Sequence, residues 1–408
     1  MERDTDTMSP LVYPQGICLL ITVVSALAAE PAATNTSPYI KWPHGPSSDP
    51  AFFPLAVWLQ DPANAERYRR AGFNTYVALW KGPTDVQLAG LKKAGMKVIC
   101  EQNDVALRHL DDPTIVGWMH GDEPDNAQEN PSGSGWGAPI APDKIVADYQ
   151  RIHAKDPSRP VLLNLGQGVA WDGWYGRGSR SRHPEDYPKY LAGCDIASFD
   201  IYPVVHDSPE IAGNLWFVAH GVERLVQWGG GNKVVWNALE CTRISNPSRK
   251  PTPREVRCEA WMSLIHGSRG LIFFVHQFKP TFREAALLDD PEMIEAITGL
   301  NREITELAPV LNSPTVDPAT LRDRKSEIVE SDDHTVPIAV MAKRWKGSSY
   351  LFAVAMREGA TKAKFSLRGL EGVRPVEVLG EKRAVTADDG VFEDQFRPWD
   401  VHLYRFSR

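Results

Sequence analysis

The sequence predicts an α/β protein: a (β/α)8 or TIM barrel followed by a small C-terminal all-β sandwich domain. From Phe53 to about Leu307, short β-rich runs alternate eight times with helical segments. These runs are continuously apolar, as expected for parallel strands that are covered on both faces. After the Pro-bearing stretch 308–320, only short strand-like runs remain, with no helical period. The first pattern indicates the barrel and the second indicates the sandwich.

Each expected barrel strand is a run of apolar residues that ends in polar ones. The eight runs cover residues 54–60, 74–80, 97–103, 115–120, 161–166, 195–203, 233–240 and 270–278. A segment of about 250 residues is the usual length for this barrel. A doubly wound sheet would need a Gly-rich turn after its first strand, and "LQDPAN" supplies none.

The helices between these strands are marked by their ends. The first stops at Gly72 and the second at Gly95, because glycine readily adopts the left-handed conformation that ends a helix. Thr84 with Gln87 three positions on predicts a capping box at the start of the second helix. Further starts are indicated by Pro142 and by the Thr252–Glu255 segment, and the last helix is expected at roughly 291–307.

The whole chain is therefore expected to contain four parts. Residues 1–28 resemble a signal peptide, since the apolar run 17–28 is too short to span a bilayer and ends in Ala-Leu-Ala. An unstructured lead-in at 29–48, the barrel at 49–309 and the sandwich at 320–408 follow. A signal peptide implies a secreted or periplasmic protein, although Arg3 is the only cation ahead of the apolar run.

The amino-acid composition indicates which classes of binding partner the protein can have. A net charge of −7 and a pI near 5.9 argue against nucleic acid or an anionic membrane, which select for basic patches. The thirteen Trp residues are unusual, and flat indole rings suit the apolar faces of sugars. Outside the signal, the cysteines show no CxxC pairing and no His at ligand spacing. We therefore expect isolated buried thiols rather than a zinc site, with one disulfide as the alternative.

In a (β/α)8 barrel, active sites collect at the carboxyl ends of the strands. The polar residues at those ends are the candidate site residues: Gln102, Asn103, His120, Asp122, Glu123, Asn164, Asp200, Tyr202, Glu240 and His276. Two of them, Glu123 and Glu240, end long apolar runs in the fourth and seventh positions. Such ends face each other across an eight-stranded mouth. Burial of a lone carboxylate at Glu240 would be costly without a purpose.

Two carboxyl groups on opposite sides of a bound sugar are the usual catalytic groups of glycoside hydrolases. One acid, with a raised pKa, protonates the leaving oxygen, and the other attacks the anomeric carbon or activates a water. The alternative for Glu123 is a solvated acid in a turn. The alternative for Glu240 is a buried structural acid paired with Arg243 or Arg254.

The strand order and the strings "GDEP" (121–124), "DIYP" (200–203) and "WNALE" (236–240) resemble the retaining, clan A glycoside hydrolases, which include β-galactosidases, cellulases and agarases. The resemblance covers the barrel. It implies Glu123 as the acid/base, Glu240 as the nucleophile and Tyr202 as a hydroxyl near that nucleophile. The clan usually has Asn where this chain has Asp122, and the usual Trp at the end of the eighth strand is absent.

Two long loops follow the fourth and fifth strands, at 126–142 and 166–188. Long loops in compact domains are commonly functional. The second loop carries Trp171 and Trp174, which we expect to stack on sugar rings, with loop packing as the alternative. Its Arg residues raise the further possibility of an anionic glycan.

The sequence thus predicts a secreted glycoside hydrolase that cleaves an oligo- or polysaccharide by double displacement. No metal or organic cofactor is implied, because no His/Asp cluster with ligand spacing occurs. Two alternatives stay open: a carbohydrate-binding barrel that has lost turnover, and a metal-dependent barrel hydrolase.

Overall fold

The computed structural model describes residues 37–130, 133–316, 329–367 and 371–407. Its first sheet is parallel and is built from nine short strands in chain order: β1 (Leu55–Trp58), β2 (Thr75–Val77), β3 (Lys97–Cys100), β4 (Ile115–Met119), β5 (Val161–Leu165), β6 (Ile196–Phe199), β7 (Val234–Val235), β8 (Asn237–Glu240) and β9 (Leu271–Phe274). The strand order in the sheet is β7-β6-β5-β4-β3-β2-β1-β9-β8.

The seventh barrel strand is divided at Trp236 into β7 and β8. β7 pairs with β6, whereas β8 pairs with β9, and a bridge between Asp200 and Ala238 joins the β6 end to β8. The nine strands are therefore eight barrel positions in a closed ring, and the predicted barrel is confirmed.

Eight helices surround the ring: α1 (Ala65–Arg70), α2 (Asp85–Ala94), α3 (Asp104–Arg108), α4 (Pro142–Lys155), α5 (Tyr187–Leu191), α6 (Trp216–Trp228), α7 (Pro253–His266) and α8 (Pro291–Leu311). The local signals act as expected. Thr84 and Gln87 form a capping box at α2, and Gly95 ends that helix with φ of 70°. Thr252 and Glu255 form a second capping box at α7. None of the helices in the described ranges is both long and apolar enough to cross a membrane.

Residues 37–48 differ from the expected lead-in. Tyr39 and Trp42 are buried in the cluster that fills the barrel interior. The Tyr39 hydroxyl donates to the backbone oxygen of Arg269 (2.7 Å) and accepts from Nε1 of Trp236 (2.8 Å). Because Arg269 precedes β9, this segment covers the amino-terminal end of the barrel, and the expectation of an unstructured segment is wrong for 37–48. The expected signal peptide lies outside the described residues and stays a prediction.

A second sheet, antiparallel, follows the barrel: β10 (Thr315–Val316), β11 (Val329–Ser331), β12 (Ile338–Trp345), β13 (Ser348–Ala355), β14 (Thr361–Ser366), β15 (Val373–Val378), β16 (Arg383–Asp388), β17 (Val391–Phe396) and β18 (Val401–Ser407). Leu351 of β13 and Phe365 of β14 share one core although their strands are not neighbours. The sheet therefore folds over its own interior, as expected for the all-β domain.

The opposite face of β13 packs against the barrel. Tyr350, Phe352 and Val354 belong to the core around the barrel helices, and the ring of Phe352 lies 5.0 Å from that of Trp261 on α7. Lys343 donates to the backbone oxygens of Leu311 (2.9 Å) and Ser313 (2.7 Å) at the end of α8. The β domain is thus fixed to the helical layer rather than to the barrel mouth.

Cys100, Cys194, Cys241 and Cys258 are all buried and free. Burial raises the pKa of each thiol. They pack as small apolar side chains, as the sequence predicts.

Candidate active site

β4 delivers Asp122 and Glu123 to the mouth of the barrel. All five residues of β4 are buried, and the chain then turns at Gly121. Glu123 has φ of 43°, a left-handed conformation that is uncommon for a residue with a side chain. Its backbone N–H donates to the oxygen of Asn164 (3.1 Å) at the end of β5. Such strain is typical of functional sites, and here it fixes where the carboxyl group leaves the backbone.

Three carboxyl groups come together at this point. Asp122 and Glu123, which follow β4, lie near Asp200, which follows β6, and the carboxyls of Glu123 and Asp200 shift the pKa of each other. The Tyr202 hydroxyl also lies beside Asp200 and lowers the pKa of that carboxyl. Asn164 donates Nδ2 to Asp122 (2.9 Å) and is itself oriented by the Ser198 hydroxyl (2.8 Å). We call Asp122, Glu123 and Asp200 the mouth cluster.

Burial and mutual repulsion determine where the protons reside in the mouth cluster. Burial raises the pKa of Glu123 well above its ordinary range, and the charges of Asp200 and Asp122 raise it further. Burial raises the pKa of Asp200 to about 6, against the lowering effects of Glu123 and Tyr202. At neutral pH, Glu123 therefore holds a proton while Asp200 is mostly ionised. Environments that separate two carboxyl pKa values in this way define an acid and a base.

Asp122 is reached by solvent, yet the walls of the mouth surround it on its other sides. This limited hydration raises its pKa to about 7, and the neighbouring Asp200 contributes in the same direction. The hydrogen bond from Asn164 works against that rise. Because Asp122 faces the opening, it is placed to accept a hydrogen bond from a ligand hydroxyl.

Gly166 leaves room for the acid. A Cβ at this position would lie 2.8 Å from Oε1 of Glu123 and 2.8 Å from both amide atoms of Asn126. Neither Gly166 nor Asn126 is singled out by the sequence pattern. Glycine directly after a barrel strand was the available signal for close packing at the mouth.

The third acid of "GDEPDN" has a different role. Asp125 is fully buried and accepts hydrogen bonds from the Gly166 N–H (2.9 Å) and the Tyr187 hydroxyl (3.0 Å). The guanidinium of Arg177 lies 4.0 Å away. Asp125 therefore fastens the loop after β5 to the loop after β4, and two adjacent acids serve structure and chemistry separately.

Glu240 does not join the mouth cluster. It is fully buried and accepts hydrogen bonds from the backbone N–H groups of Val204 (2.5 Å) and Val205 (3.0 Å). Its carboxyl also lies beside that of Glu259 on α7, and the two groups influence the pKa of each other. Burial raises its pKa to about 8, so it is mostly protonated at neutral pH. These partners are Val204, Val205 and Glu259 and do not include Glu123, and the predicted pairing of Glu123 with Glu240 stays a prediction.

Three other expected site residues also lie elsewhere. His120 hydrogen-bonds to Asp148 (3.1 Å) and to the backbone oxygen of Gly193 (2.8 Å), in the helical layer. Gln102 donates to the oxygen of Ile152 on α4 (3.0 Å). Asn103 caps α3 and donates to the oxygen of Pro83 (2.9 Å). Sequence position places these residues at strand ends, but side-chain direction turns them away from the mouth cluster.

Trp171, Trp174 and His276 lie in the loops after β5 and β9, and Trp171 is buried at 7% exposure. Nε1 of Trp174 donates to Oδ1 of Asn126 (2.8 Å), which adjoins Glu123. Trp171 packs between Trp174 and His206, with ring centroids 6.0 and 5.6 Å apart. In the loop after β9, Nε2 of His276 lies 3.2 Å from the amide nitrogen of Gln60, and burial lowers the pKa of His276 to about 4. His276 is therefore neutral.

In the described part of the chain, no three His, Cys, Asp or Glu side chains are grouped so that they could hold a metal ion. The carboxyl groups at the mouth bind one another and Asn164 instead. The arrangement supplies a proton donor, an ionised carboxylate and a hydroxyl-binding carboxyl at one opening. This is a set suited to acid–base chemistry on a polar, uncharged ligand.

The chain is similar to known proteins in structure but not in sequence. No protein-family model and no curated protein sequence matches the chain. Among solved structures, the GH42 β-galactosidase Gan42B from G. stearothermophilus is similar with a TM-score of 0.55 and 9% identity. That similarity covers 91% of this chain and 100% of the other. AmyP in complex with maltose is similar with a TM-score of 0.53 and 8% identity, over 87% of this chain and 96% of the other.

At such low identity these likenesses establish the fold alone. The predicted resemblance to barrel glycoside hydrolases is therefore confirmed at the level of architecture, including the β domain that follows the barrel. The assignment of residues rests on the geometry of this chain, because fold does not determine function.

Proposed function

We propose that this protein is a glycoside hydrolase that acts on an oligo- or polysaccharide, with Glu123 as general acid/base and Asp200 as the ionised carboxylate. The observation that carries the proposal is the position of Glu123 and Asp200 together at the carboxyl ends of β4 and β6, where each shifts the pKa of the other and the two pKa values are separated. The fold shared with a β-galactosidase supports it by analogy.

In this mechanism the protonated Glu123 donates its proton to the glycosidic oxygen while the bond to the anomeric carbon breaks. Asp200 attacks that carbon and forms a glycosyl-enzyme ester. Glu123, now ionised, takes a proton from water, and the water displaces Asp200. A retaining mechanism needs the two carboxyls about 5–5.5 Å apart, closer than the gap that holds a water in inverting enzymes. The direct interaction of Glu123 with Asp200 favours the closer arrangement and therefore retention of configuration. Asp200 thus takes the role that strand position gave to Glu240.

Asp122 and Tyr202 complete the proposed site. Asp122 accepts a hydrogen bond from a sugar hydroxyl, and its negative charge helps Glu123 to keep its proton before the reaction. The Tyr202 hydroxyl holds the Asp200 carboxylate in position. The expected pH profile rises as Asp200 ionises near pH 6 and falls when Glu123 loses its proton at higher pH.

The test is a screen of aryl glycosides with wild type and with Glu123→Gln, which keeps the shape but cannot donate the proton. We expect kcat to fall about 10²- to 10⁴-fold, less for substrates with acidic leaving groups that need no proton. Glu129→Gln is the matched control, because Glu129 is an exposed acid in the same loop. It should leave kcat unchanged.

Three outcomes would contradict the proposal. Full activity in Glu123→Gln would exclude that residue as the acid. Saturable binding of sugars with no turnover by wild type would identify a carbohydrate-binding barrel. Loss of activity on treatment with a chelator would identify a metal-dependent hydrolase.

A further inference from the structure

Exposed aromatic rings are confined to one face of the barrel. Among the described residues, every strongly exposed Trp, Tyr or Phe side chain lies on a loop that follows a barrel strand: Trp80, Trp136, Tyr175, Phe278 and Phe282. Large apolar rings exposed together mark a binding surface more often than chance. The mouth is therefore more than a pocket around the three carboxyls.

One series of rings leads outward on the β9 side. Tyr202, whose hydroxyl is beside Asp200, lies 5.3 Å from the ring of Phe274 at the end of β9. Phe274 lies 6.1 Å from Phe278, and Phe278 lies 5.6 Å from Phe282. Phe282 is 61% exposed. We call Phe274, Phe278 and Phe282 the β9 track.

A second series leads outward on the β5 side. Trp171 and Trp174 lie 6.0 Å apart, and Trp174 lies 4.7 Å from Tyr175, which is 67% exposed. Trp174 is tied by its indole N–H to Asn126, whose amide shares the space above Gly166 with the Glu123 carboxyl. We call Trp171, Trp174 and Tyr175 the β5 track. Both tracks therefore begin beside the mouth cluster and end in solvent.

The tracks leave in different directions, because β5 and β9 occupy the fifth and eighth positions in a ring of eight strands. A ligand that touches both must extend to both sides of the reacting carboxyls. Aromatic faces stack on the apolar faces of sugar rings, and successive rings spaced along a track suit successive sugars of one chain.

Charge favours an uncharged chain. Arg177 and Arg180 of the β5 loop both pair with Asp186, at 3.0 and 2.6 Å, whereas Arg182 of the same loop is exposed. The charges of Arg177 and Arg180 are therefore committed within the protein, and the mouth cluster adds negative charge where the substrate must lie. An anionic glycan would meet repulsion at the centre without these cations to offset it.

We infer that the substrate is a neutral polysaccharide that runs across the mouth along both tracks and is cleaved within the chain rather than at its end. This inference rests on the proposed function and adds the class of substrate and an endo mode of attack.

The test measures binding apart from turnover. The full-length Glu123→Gln protein is run in native gels that contain neutral soluble xylan, galactan or mixed-linkage glucan. Phe282→Ala and Tyr175→Ala each remove one exposed ring and leave the core intact. For a polymer that retards the Glu123→Gln parent, we expect each added substitution, Phe282→Ala or Tyr175→Ala, to weaken binding of that polymer roughly three- to tenfold. Val373→Ala, which removes an exposed apolar side chain on β15, is the matched control and should have no effect.

Retardation that depends on both rings supports the inference. No retardation of the parent by any of the three polymers, or retardation that depends on one ring only, overturns it.

With catalytically active protein, polymer viscosity should fall well before reducing ends accumulate, whereas release of end sugars alone contradicts the endo mode. If wild type cleaves no glycoside but both rings are needed for binding, the proposed hydrolysis fails while the surface stands. If wild type hydrolyses aryl glycosides but polymer binding does not depend on the two rings, the proposed hydrolysis stands and the aromatic surface fails.

Discussion

Two carboxyl pairs in this barrel share a raised pKa and differ in almost everything else. Glu123 and Asp200 meet at the mouth, beside the solvent-reached Asp122. Glu240 and Glu259 meet in the wall, where both side chains are fully buried. Burial raises the pKa in both pairs, so a raised pKa alone does not identify a catalytic acid. Access to solvent and the partners of each group make the distinction.

The partners show what the wall pair does. The carboxyl of Glu240 caps the N–H groups of Val204 and Val205, in the segment that also carries Asp200 and Tyr202. Glu240 thereby holds the segment that positions the mouth cluster. In the proposed mechanism Glu240 would therefore act as a positioning residue.

The largest expected difference between the two carboxyl pairs is in the loss of kcat when one carboxyl is replaced by the uncharged amide of similar shape. Asp200→Asn should lower kcat about 10³-fold, because the amide can neither attack nor hold negative charge. Glu240→Gln should retain activity within about tenfold, since the amide oxygen can still accept from a backbone N–H. Steady-state kinetics on one aryl glycoside compares the two variants directly. A loss in Glu240→Gln as large as that in Asp200→Asn would restore Glu240 as the nucleophile.

A smaller effect is expected when the mouth pair is displaced without changing its chemistry. In Gly166→Ala the new methyl group lies too close to Glu123 Oε1 and to the Asn126 amide, and both are flexible side-chain ends that can move. Gly166 has φ of −81°, which alanine adopts freely. We expect kcat to fall about tenfold or more, because a shift of the acid near 1 Å is costly, with little loss of thermal stability.

Gly121→Ala is the control for this prediction, because a methyl group there meets nothing within 4 Å. It lies two residues before Glu123 in the same turn and should behave as wild type. Equal activity of the two alanine variants would show that the position of the Glu123 carboxyl does not limit the reaction.

An effect on stability and its pH dependence, rather than on kcat, tests the wall pair. The pKa of Glu240 rises from 4.5 to about 8 in the folded protein. Between these values the unfolded chain ionises and the folded protein does not, so the unfolded state binds fewer protons and stability falls as pH rises. Glu240→Gln removes this dependence. Its free energy of unfolding, relative to wild type, should rise between pH 5 and pH 8 by roughly 3 kcal/mol.

Chemical denaturation at the two pH values measures this change, with the exposed Glu129→Gln as reference. A difference between Glu240→Gln and wild type that is the same at both pH values would mean that Glu240 is ionised in the folded protein. The buried, neutral acid described for the wall would then be wrong.

The local sequence was sufficient to predict the helices and strands of the barrel. Capping boxes at Thr84 and Thr252, the glycine after α2 and the continuous apolar runs act through neighbours in the chain, and each lies where expected. Their order then determines the barrel, because parallel strands joined by helices bring all their carboxyl ends to one face. Glu123, Asp122, Asp200, Tyr202 and Asn164 could be named for that reason.

Tertiary structure alone decided which of these strand-end residues face one another. Glu123 and Glu240 look alike in sequence, since each is a glutamate that ends an apolar strand. In the structure, Glu123 lies in the turn after β4, whereas Glu240 is the last residue of β8 and lies beside Glu259 on α7. The position of Glu240 depends on the break in the seventh strand, and on Glu259 and the loop after β6, which are distant in the chain. The sequence by itself therefore determined the barrel and made Glu123 a candidate, whereas only the packing of remote segments brought Asp200 beside it.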